Sequence, residues 1–139
     1  MVRGTGRPIE QVKAFLDTHT FLWCATGDPR LPKRLALMLS DRKNTLLLSV
    51  ASAWEIAIKA RIGKLHLPEH VAAYIPDRLA KLGIEIAPIS LDHVLATASL
   101  PLHHGDPFDR LLIAQSRVEG IPIVTVDSGF KKYGVEVLW

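Results

Sequence analysis

Residues 12–17 read VKAFLD and residues 121–127 read IPIVTVD. Each is a short apolar run, typical of a buried strand, that ends on an aspartate. Two further acidic segments, SAWE at 52–55 and DPFD at 106–109, lie between them. Ligands of an open parallel sheet bind beyond the carboxyl ends of its strands. A fold that gathers these carboxylates at that edge needs cations there, which predicts a divalent metal and chemistry on phosphates.

Strand-like and helix-like segments alternate along the chain. Their apolar patterns predict strands over 12–17, 45–49, 84–87, 121–126 and 135–138, and helices over 19–26, 32–41, 51–61, 68–83, 91–99 and 107–120. Strands separated by helices indicate right-handed crossovers and a mostly parallel sheet with helices on both faces. We expect one domain over residues 12–139, with a disordered lead-in over residues 1–11.

Two details of these helices are specific predictions. Pro68 is expected to start the fourth helix, because proline suits a first helical turn. In the second helix, the side chains of Leu35, Leu37, Met38 and Leu39 are expected to face the core.

The composition is that of a globular domain. Of 139 residues, 48% are hydrophobic and 22% are charged, and the net charge of +3 permits a nucleic-acid partner without arguing for one. The single cysteine, Cys24, excludes an internal disulfide and a cysteine-rich zinc motif. The most apolar segment, 46–60, is interrupted by Glu55 and Lys59 and is too short to span a bilayer. We therefore expect a cytoplasmic protein without a membrane partner.

Three of the acidic residues have structural interpretations as well. Asp17 is a good helix N-cap, and Asp127 begins Asp-Ser-Gly, a turn signal. Ser52 and Glu55 match a capping box. However, the helix around Glu55 is apolar nearly all round, and a buried carboxylate needs a partner or a metal. Lys59, one turn further on, is a candidate partner.

The DPFD segment has the composition of a helix start. Asp106 is predicted to be the N-cap, Pro107 the first helical residue, and Asp109 a first-turn residue. Because the helix dipole favours an anion in the first turn, Asp109 is expected to stay ionised, as a metal ligand must.

The remaining aromatic candidates have plainer interpretations. His103 and His104 are expected to be a solvated loop pair rather than phosphate ligands. Trp23, Trp54 and Trp139 are expected to be core or interface residues rather than platforms for stacking bases.

Four segments together resemble PIN domains, and more closely the VapC-type toxins of bacterial toxin–antitoxin pairs. They are DTHTFLW at 17–23, SAWEIAIK at 52–59, HGDPFDRLLIAQ at 104–115 and VTVD at 124–127, in the order expected for that family. The likeness extends over about residues 12–139, and the combination is far more specific than any one segment.

This resemblance implies a three-layer α/β/α sandwich around a sheet of about five strands, and an endoribonuclease that depends on Mg²⁺ or Mn²⁺. It also implies a homodimer and a cognate VapB-type antitoxin that covers the catalytic groove. Carried over by position, the catalytic and metal-binding carboxylates are those of Asp17, Glu55, Asp109 and Asp127. Thr125 would orient water, and Thr18 is a second supporting residue.

Candidate contacts to substrate phosphates are Lys59, Arg61, Lys64 and Arg110. Two other functions stay open at this point. A receiver-like signalling domain also has a magnesium pocket at strand ends, but it would require paired acidic residues after the first strand, where this chain has only Asp17. A PIN domain that binds RNA without cleaving it is the other alternative, disfavoured because all four acidic positions are filled.

Overall fold

The computed structural model describes residues 11–139, so the predicted lead-in lies, apart from Gln11, outside the described residues. Strands and helices alternate as expected. The strands are β1 (Lys13–Leu16), β2 (Thr45–Ser49), β3 (Ile84–Ala87), β4 (Ile123–Val124) and β5 (Val137–Leu138). The helices are α1 (Thr18–Thr26), α2 (Lys33–Ser40), α3 (Val50–Arg61), α4 (Val71–Leu82), α5 (Leu91–Ala96) and α6 (Pro107–Glu119), with 3₁₀ turns over Thr97–Ser99 and Ser128–Tyr133.

The five strands form one sheet in the order β3-β2-β1-β4-β5, and every neighbouring pair is parallel. The central strand β1 pairs over its whole length with β2, from Lys13 opposite Thr45 to Leu16 opposite Leu48. On its other side, Leu16 lies opposite Val124 of β4. The prediction of a mostly parallel sheet of about five strands is confirmed.

Successive residues of β1 enter two different cores, as the alternation of a strand requires. Ala14 and Leu16 pack with side chains from α1, α2, α3 and α4, among them Phe21 and Ile56. Phe15 packs on the opposite face with side chains from α6 and from the 3₁₀ turn after β4. Helices therefore cover both faces of the sheet, and the three-layer α/β/α architecture is confirmed.

The fourth helix begins later than predicted. It starts at Val71, and the ring nitrogen Nδ1 of His70 accepts a hydrogen bond from Ala72 N at 3.1 Å. Pro68 lies in the preceding loop, so the expectation that it starts the helix is wrong. Histidine is not among the preferred N-cap residues, and its capping role depends on a side-chain orientation that the sequence does not specify.

The second helix turns only part of its leucines inward. Leu35 and Leu39 are buried, whereas Leu37 is 62% exposed. Residues four apart share a helix face and a residue two positions away does not. The expectation that Leu37 faces the core is therefore wrong.

The last two strands are shorter than the predicted runs 121–126 and 135–138. Ile121 N–H donates to Ser116 O at the end of α6, and Pro122 has no N–H to offer. Strand pairing accordingly begins at Ile123. The helix predicted over 91–99 is likewise divided into α5 and a short 3₁₀ turn.

Within residues 11–139, no helix has both the length and the apolar character required to cross a bilayer.

Candidate metal centre

Asp17 lies where β1 ends and α1 begins, and its buried carboxylate uses both oxygens. Oδ1 accepts from Thr20 N at 2.8 Å, which makes Asp17 the N-cap of α1, and Oδ2 accepts from Thr125 Oγ1 at 2.5 Å. The Thr125 hydroxyl also accepts from Asp127 N at 3.1 Å. One buried hydroxyl thus ties the end of β1 to the segment that follows β4.

Glu55 is not part of a capping box. The N-cap of α3 is Ser49, whose hydroxyl accepts from Ala51 N at 3.0 Å, so Ser52 is already inside the helix. Glu55 is buried in the second turn, where Oε1 accepts from Thr18 Oγ1 at 2.5 Å and Oε2 accepts from Lys59 Nζ at 2.6 Å. A buried carboxylate held by one hydroxyl and one ammonium is a positioned polar group, not a helix cap.

The DPFD segment starts α6 as predicted. The Asp106 carboxylate accepts from Phe108 N at 2.8 Å and from Asp109 N at 3.0 Å, with Pro107 as the first helical residue. Asp106 is therefore the cap, and the Asp109 side chain is left available for another partner.

Asp109 is the electrostatically strained group of this region. Burial, together with the nearby carboxylates of Asp106, Glu55 and Asp17, raises its pKa from 3.8 to about 7, against a lowering effect of His104. The expectation that the helix dipole keeps Asp109 ionised is therefore wrong for the metal-free protein. Desolvation and neighbouring negative charge outweigh the dipole and favour the protonated form of Asp109.

Asp127 follows β4 and begins a 3₁₀ turn, with its Oδ1 accepting from Gly129 N at 2.8 Å. Its other oxygen, Oδ2, lies 3.2 Å from His104 Nε2. The turn interpretation of Asp127 is thus confirmed. Ligand atoms of His104, Asp109 and Asp127 all lie within 4.8 Å of one another, which is a grouping that can hold a metal ion.

His104 is the residue that sequence reasoning missed. It is half-buried, not a solvated loop residue, and its side chain is 18% exposed. The only sequence signal was its position two residues before the cap of α6. That position places it near the first turn of the helix, but the sequence does not say which way the ring turns.

Two of the four predicted carboxylates, those of Asp109 and Asp127, belong with His104 to the group of ligand atoms within 4.8 Å, and those of Asp17 and Glu55 do not. The Thr125 hydroxyl donates to the Asp17 carboxylate and accepts from the backbone N–H of Asp127, and Glu55 is joined to the start of α1 through Thr18. Asp109 senses Glu55 and Asp17 electrostatically and is grouped with Asp127. Carboxylate oxygens are the donors that Mg²⁺ and Mn²⁺ prefer, and a divalent ion would relieve the repulsion recorded in the Asp109 pKa. The residues present fit such an ion.

The candidate phosphate contacts differ in whether their charged groups already have partners within the protein. Arg110 donates to the backbone carbonyls of Pro101 at 2.9 Å and Thr97 at 3.0 Å, and more weakly to those of Leu100 and His104. This guanidinium is occupied in holding a loop. Lys59 is bound to Glu55, whose hydrogen bond raises the lysine pKa. Arg61 and Lys64 are exposed at the end of α3.

Trp54 is less buried than the expectation of a core or interface residue suggests. It is 57% exposed on α3, directly before Glu55 in the chain. Its indole meets the Phe108 ring edge to face, with ring centroids 5.1 Å apart. An aromatic pair thus joins α3 to the start of α6 beside the acidic residues.

Comparisons with known proteins identify the family of this chain and relatives of its fold. A family model described as PIN domain matches residues 14–136. Over 56 residues the chain is 52% identical to "Ribonuclease VapC16" of Mycobacterium tuberculosis (strain ATCC 25618 / H37Rv), a match covering 40% of this chain. The matched segment amounts to only 38% of that relative's own length.

Two solved structures share the fold. One is the crystal structure of VapBC2 from Rickettsia felis bound to a DNA fragment from their promoter, with a TM-score of 0.69 and 16% identity, over 91% of this chain and 98% of that one. The other is a toxin–antitoxin complex from Klebsiella pneumoniae, with a TM-score of 0.55 and 16% identity, over 91% and 96% of the two chains. At this level of identity they show the fold alone.

Proposed function

Because this chain belongs to the PIN-domain family, we propose that it is a metal-dependent endoribonuclease and the toxin of a toxin–antitoxin pair. The observation that carries the proposal is the grouping of acidic residues from separate elements around Asp109, whose pKa is raised to about 7. The name of the relative from Mycobacterium tuberculosis, a ribonuclease, supports the reaction type. The toxin–antitoxin complexes among the structural neighbours support the biological setting.

Asp17, Glu55, Asp109 and Asp127 would hold the ion, which we expect to be Mg²⁺ or Mn²⁺. A divalent ion at such a site supplies activation of water and neutralisation of charge on the phosphate. The chain needs no nucleophile of its own for this reaction. Asp109 has to release its proton before it can bind, so binding competes with the proton near pH 7.

The surrounding hydroxyls and the lysine position these carboxylates. Thr20 N and Thr125 Oγ1 fix the two oxygens of Asp17, and Thr18 and Lys59 fix those of Glu55. Each carboxylate oxygen can accept more than one bond, so these contacts orient the groups without preventing them from binding an ion. Thr125 and Thr18 are in this proposal positioning residues.

The substrate phosphates would meet cations at the end of α3. Arg61 and Lys64 are exposed there, and Lys59 lies two residues before Arg61, beside Glu55. Arg110 is left out of this set, because its guanidinium is engaged by backbone carbonyls. RNA would be recognised through unpaired nucleotides, which is the usual mode for sequence-selective RNA binding.

The proposal includes two protein partners, a VapB-type antitoxin and a second copy of this chain. Such a toxin acts on cellular RNA, so we expect it in the cytoplasm. Light scattering at micromolar protein concentration should give the mass of a dimer, and co-expression with the neighbouring small reading frame should give a stable complex without RNA cleavage. This part of the proposal would be contradicted if the protein stayed strictly monomeric and did not bind the product of the neighbouring reading frame.

The decisive experiment measures cleavage of a structured RNA by highly purified protein with Mg²⁺, with Mn²⁺ and in excess EDTA. We expect cleavage only with a metal. Asp17→Asn is the matched inactive variant, since asparagine is as good an N-cap as aspartate and should preserve α1. Undiminished cleavage in EDTA, or by Asp17→Asn, would refute the proposed mechanism.

The two alternatives are separated by topology and by turnover. Receiver-like domains have the strand order 2-1-3-4-5, whereas this sheet has the order 3-2-1-4-5. The receiver alternative is therefore set aside. A PIN domain that binds RNA without cleaving it would retain RNA binding in the experiment above but leave the RNA intact under every metal condition.

A further inference from the structure

We propose that His104 is a direct nitrogen ligand of the divalent ion, together with Asp109 and Asp127, and that it makes the site favour Mn²⁺ over Mg²⁺. This inference rests on the proposed function, because it concerns the metal of that same site. It adds a donor that the acidic residues alone do not include.

The imidazole of His104 is fixed by several contacts. Its backbone N–H donates to Tyr133 Oη at 2.6 Å, and its Nδ1 lies 3.2 Å from the same oxygen. The ring meets Phe130 edge to face at 5.4 Å between centroids. These contacts direct the other ring nitrogen, Nε2, towards Asp127. A histidine that ligates a metal is typically oriented through its second nitrogen in this way.

The Tyr133 hydroxyl suits either state of the ring. A phenol can donate a hydrogen bond or accept one. It can donate to Nδ1 while Nε2–H faces Asp127, and it can accept from Nδ1–H when Nε2 presents its lone pair to an ion. Binding therefore needs a change of tautomer but no rotation of the imidazole.

Gly129 keeps the space beside these groups open. A Cβ at this position would lie 2.9 Å from Asp127 Oδ1 and 3.0 Å from His104 Cε1. Any other residue would push the carboxylate or the imidazole away. The glycine is thus needed for the close approach of the two proposed ligands, and this observation is independent of the charges.

The spacing suits one ion. Ligand atoms at about 2.1 Å from a metal are about 3 Å apart when adjacent and about 4.2 Å apart when opposite. The three ligand atoms here lie within 4.8 Å of one another. His104 Nε2 and Asp127 Oδ2, at 3.2 Å, already have the separation of adjacent ligands, and side-chain adjustment would bring the Asp109 carboxylate to coordination distance.

A second histidine–carboxylate pair in the chain shows what a purely structural histidine looks like. His93 Nδ1 accepts from Ser90 N at 3.0 Å as part of a capping box, and its Nε2 lies 2.8 Å from Glu119. Both of its nitrogens are satisfied by one helix cap and one carboxylate. His104 Nε2 instead has two carboxylates, from α6 and from the turn after β4, within reach of one ion.

A nitrogen donor changes the choice of metal. Mn²⁺, although the weakest binder among the divalent ions from Mn²⁺ to Zn²⁺, is a transition-metal ion and accepts an imidazole more readily than Mg²⁺, which prefers oxygen donors and gives up its waters reluctantly. A site with one imidazole and two or more carboxylates should therefore bind Mn²⁺ more tightly than a site with carboxylates alone. Mg²⁺ affinity should depend on His104 much less.

Pulsed electron paramagnetic resonance of Mn²⁺ bound to the full chain tests the ligand directly, because a coordinated imidazole nitrogen modulates the electron spin echo. With Mn²⁺ below one equivalent, we expect a nitrogen modulation in wild type and in His103→Gln, its exposed neighbour, and none in His104→Gln. In calorimetric titrations, His104→Gln should lose about tenfold or more in Mn²⁺ affinity and little in Mg²⁺ affinity. Tyr133→Phe should keep the modulation but bind Mn²⁺ more weakly.

The outcomes separate this inference from the proposed function. Bound Mn²⁺ without nitrogen modulation in wild type would overturn the ligand role of His104 and leave an all-carboxylate site standing. A modulation that survives in His104→Gln would also overturn it. Wild-type protein that binds no Mn²⁺ at millimolar concentration would overturn both this inference and the proposed metal-dependent activity.

Discussion

At the scale of single residues, the acidic region is a set of carboxylates that differ in how well each is compensated. The Glu55 carboxylate accepts hydrogen bonds from a hydroxyl and an ammonium group, and the Asp17 carboxylate accepts them from a backbone amide and a hydroxyl. Asp109 is the exception, with burial and three carboxylates raising its pKa to about 7. The uncompensated charge is concentrated on this residue in the first turn of α6, and a cation is the partner that would neutralise it.

Asp109→Asn should therefore stabilise the metal-free protein in a way that depends on pH. Below about pH 3 the carboxyl is protonated in both the folded and the unfolded state, so it has no effect. As the pH rises from there towards 7, the unfolded chain releases the proton before the folded protein does, and the wild type loses stability. In EDTA we expect a higher melting temperature for the variant at pH 8 and a difference that shrinks as the pH falls to about 4 and vanishes near pH 3. Asp92→Asn, an exposed control, should show no such trend; a variant less stable than wild type at pH 8 would contradict the sign.

Thr125 should be sensitive to loss of its hydroxyl but not to loss of its methyl group. It is fully buried and bonds to both Asp17 Oδ2 and Asp127 N. Thr125→Val leaves these groups unsatisfied and should lower the free energy of unfolding by about 1–3 kcal/mol, with most RNA cleavage lost. Thr125→Ser should retain both the stability and the cleavage activity of the wild type. Urea denaturation and cleavage assays on the two variants check this, and equal behaviour of valine and serine would show that the hydroxyl is unimportant.

At the scale of elements, the start of α6 divides two roles between aspartates three residues apart. Asp106 caps the helix through two backbone amides, and Asp109 is free to bind elsewhere. The same element holds the loop in front of it, because Arg110 in its first turns donates to carbonyls of residues 97–104. The helix start thus fixes both its own carboxylates and the loop that carries His104.

The division of roles at this helix start can be tested with a pair of variants. Asp106→Ser keeps a capping oxygen, so it should cost well under about 1 kcal/mol of stability and leave most cleavage intact. Asp109→Asn should be nearly inactive without being destabilised. Chemical denaturation and RNA cleavage distinguish the two, and the reverse pattern would mean that Asp106 belongs to the metal site.

Arg110→Met should loosen the loop of residues 97–104. It removes several hydrogen bonds from a charged group, and each such bond contributes about 1.5–3 kcal/mol at most, so we expect a loss of about 2 kcal/mol in the free energy of unfolding. Hydrogen exchange should quicken in the loop, and Mn²⁺ binding should weaken. Arg117→Met, an exposed arginine near the end of the same helix, is the matched control and should change stability by less than about 0.5 kcal/mol. Unchanged hydrogen exchange in residues 97–104 would argue against the idea that Arg110 holds this loop.

At the scale of the whole molecule, the acidic region joins parts of the chain that are far apart in sequence. Residues from the ends of β1 and β4, from α3 and from the start of α6 meet there. An ion bound by these residues would link both halves of the sheet to helices on either side of it. Metal binding should therefore stabilise the entire fold and not one segment alone.

Mn²⁺ should raise the stability of the wild type by mass action. At a free concentration one hundred times its Kd, the expected gain is about 2.7 kcal/mol, reversed by EDTA. Asp17→Asn should gain much less, because it lacks one anionic ligand but keeps the cap of α1. Calorimetric melting with and without metal measures both, and equal gains in the two proteins would place the ion somewhere other than this site.

Much of this protein was predictable because the signals are local. Apolar runs separated by helical patterns determined the alternation of strands and helices, and the Asp106-Pro107 start of α6 could be assigned from N-cap preferences alone. The resemblance to PIN domains supplied the four acidic positions, whose role as metal ligands stays a prediction. These features depend on neighbours in the chain, which a sequence displays directly.

Other features were decided only by the tertiary structure, because they depend on residues distant in sequence. Ser49 rather than Ser52 caps α3, so Glu55 lies one turn deeper, against Thr18. Burial and neighbouring carboxylates, among them Glu55 and Asp17 from distant segments, outweigh the local helix dipole in the pKa of Asp109. The ring of His104 is directed by Tyr133, 29 residues away. The sequence thus determined which elements form and which of them end on carboxylates, whereas the packing of those elements decided which of these charges lack a partner.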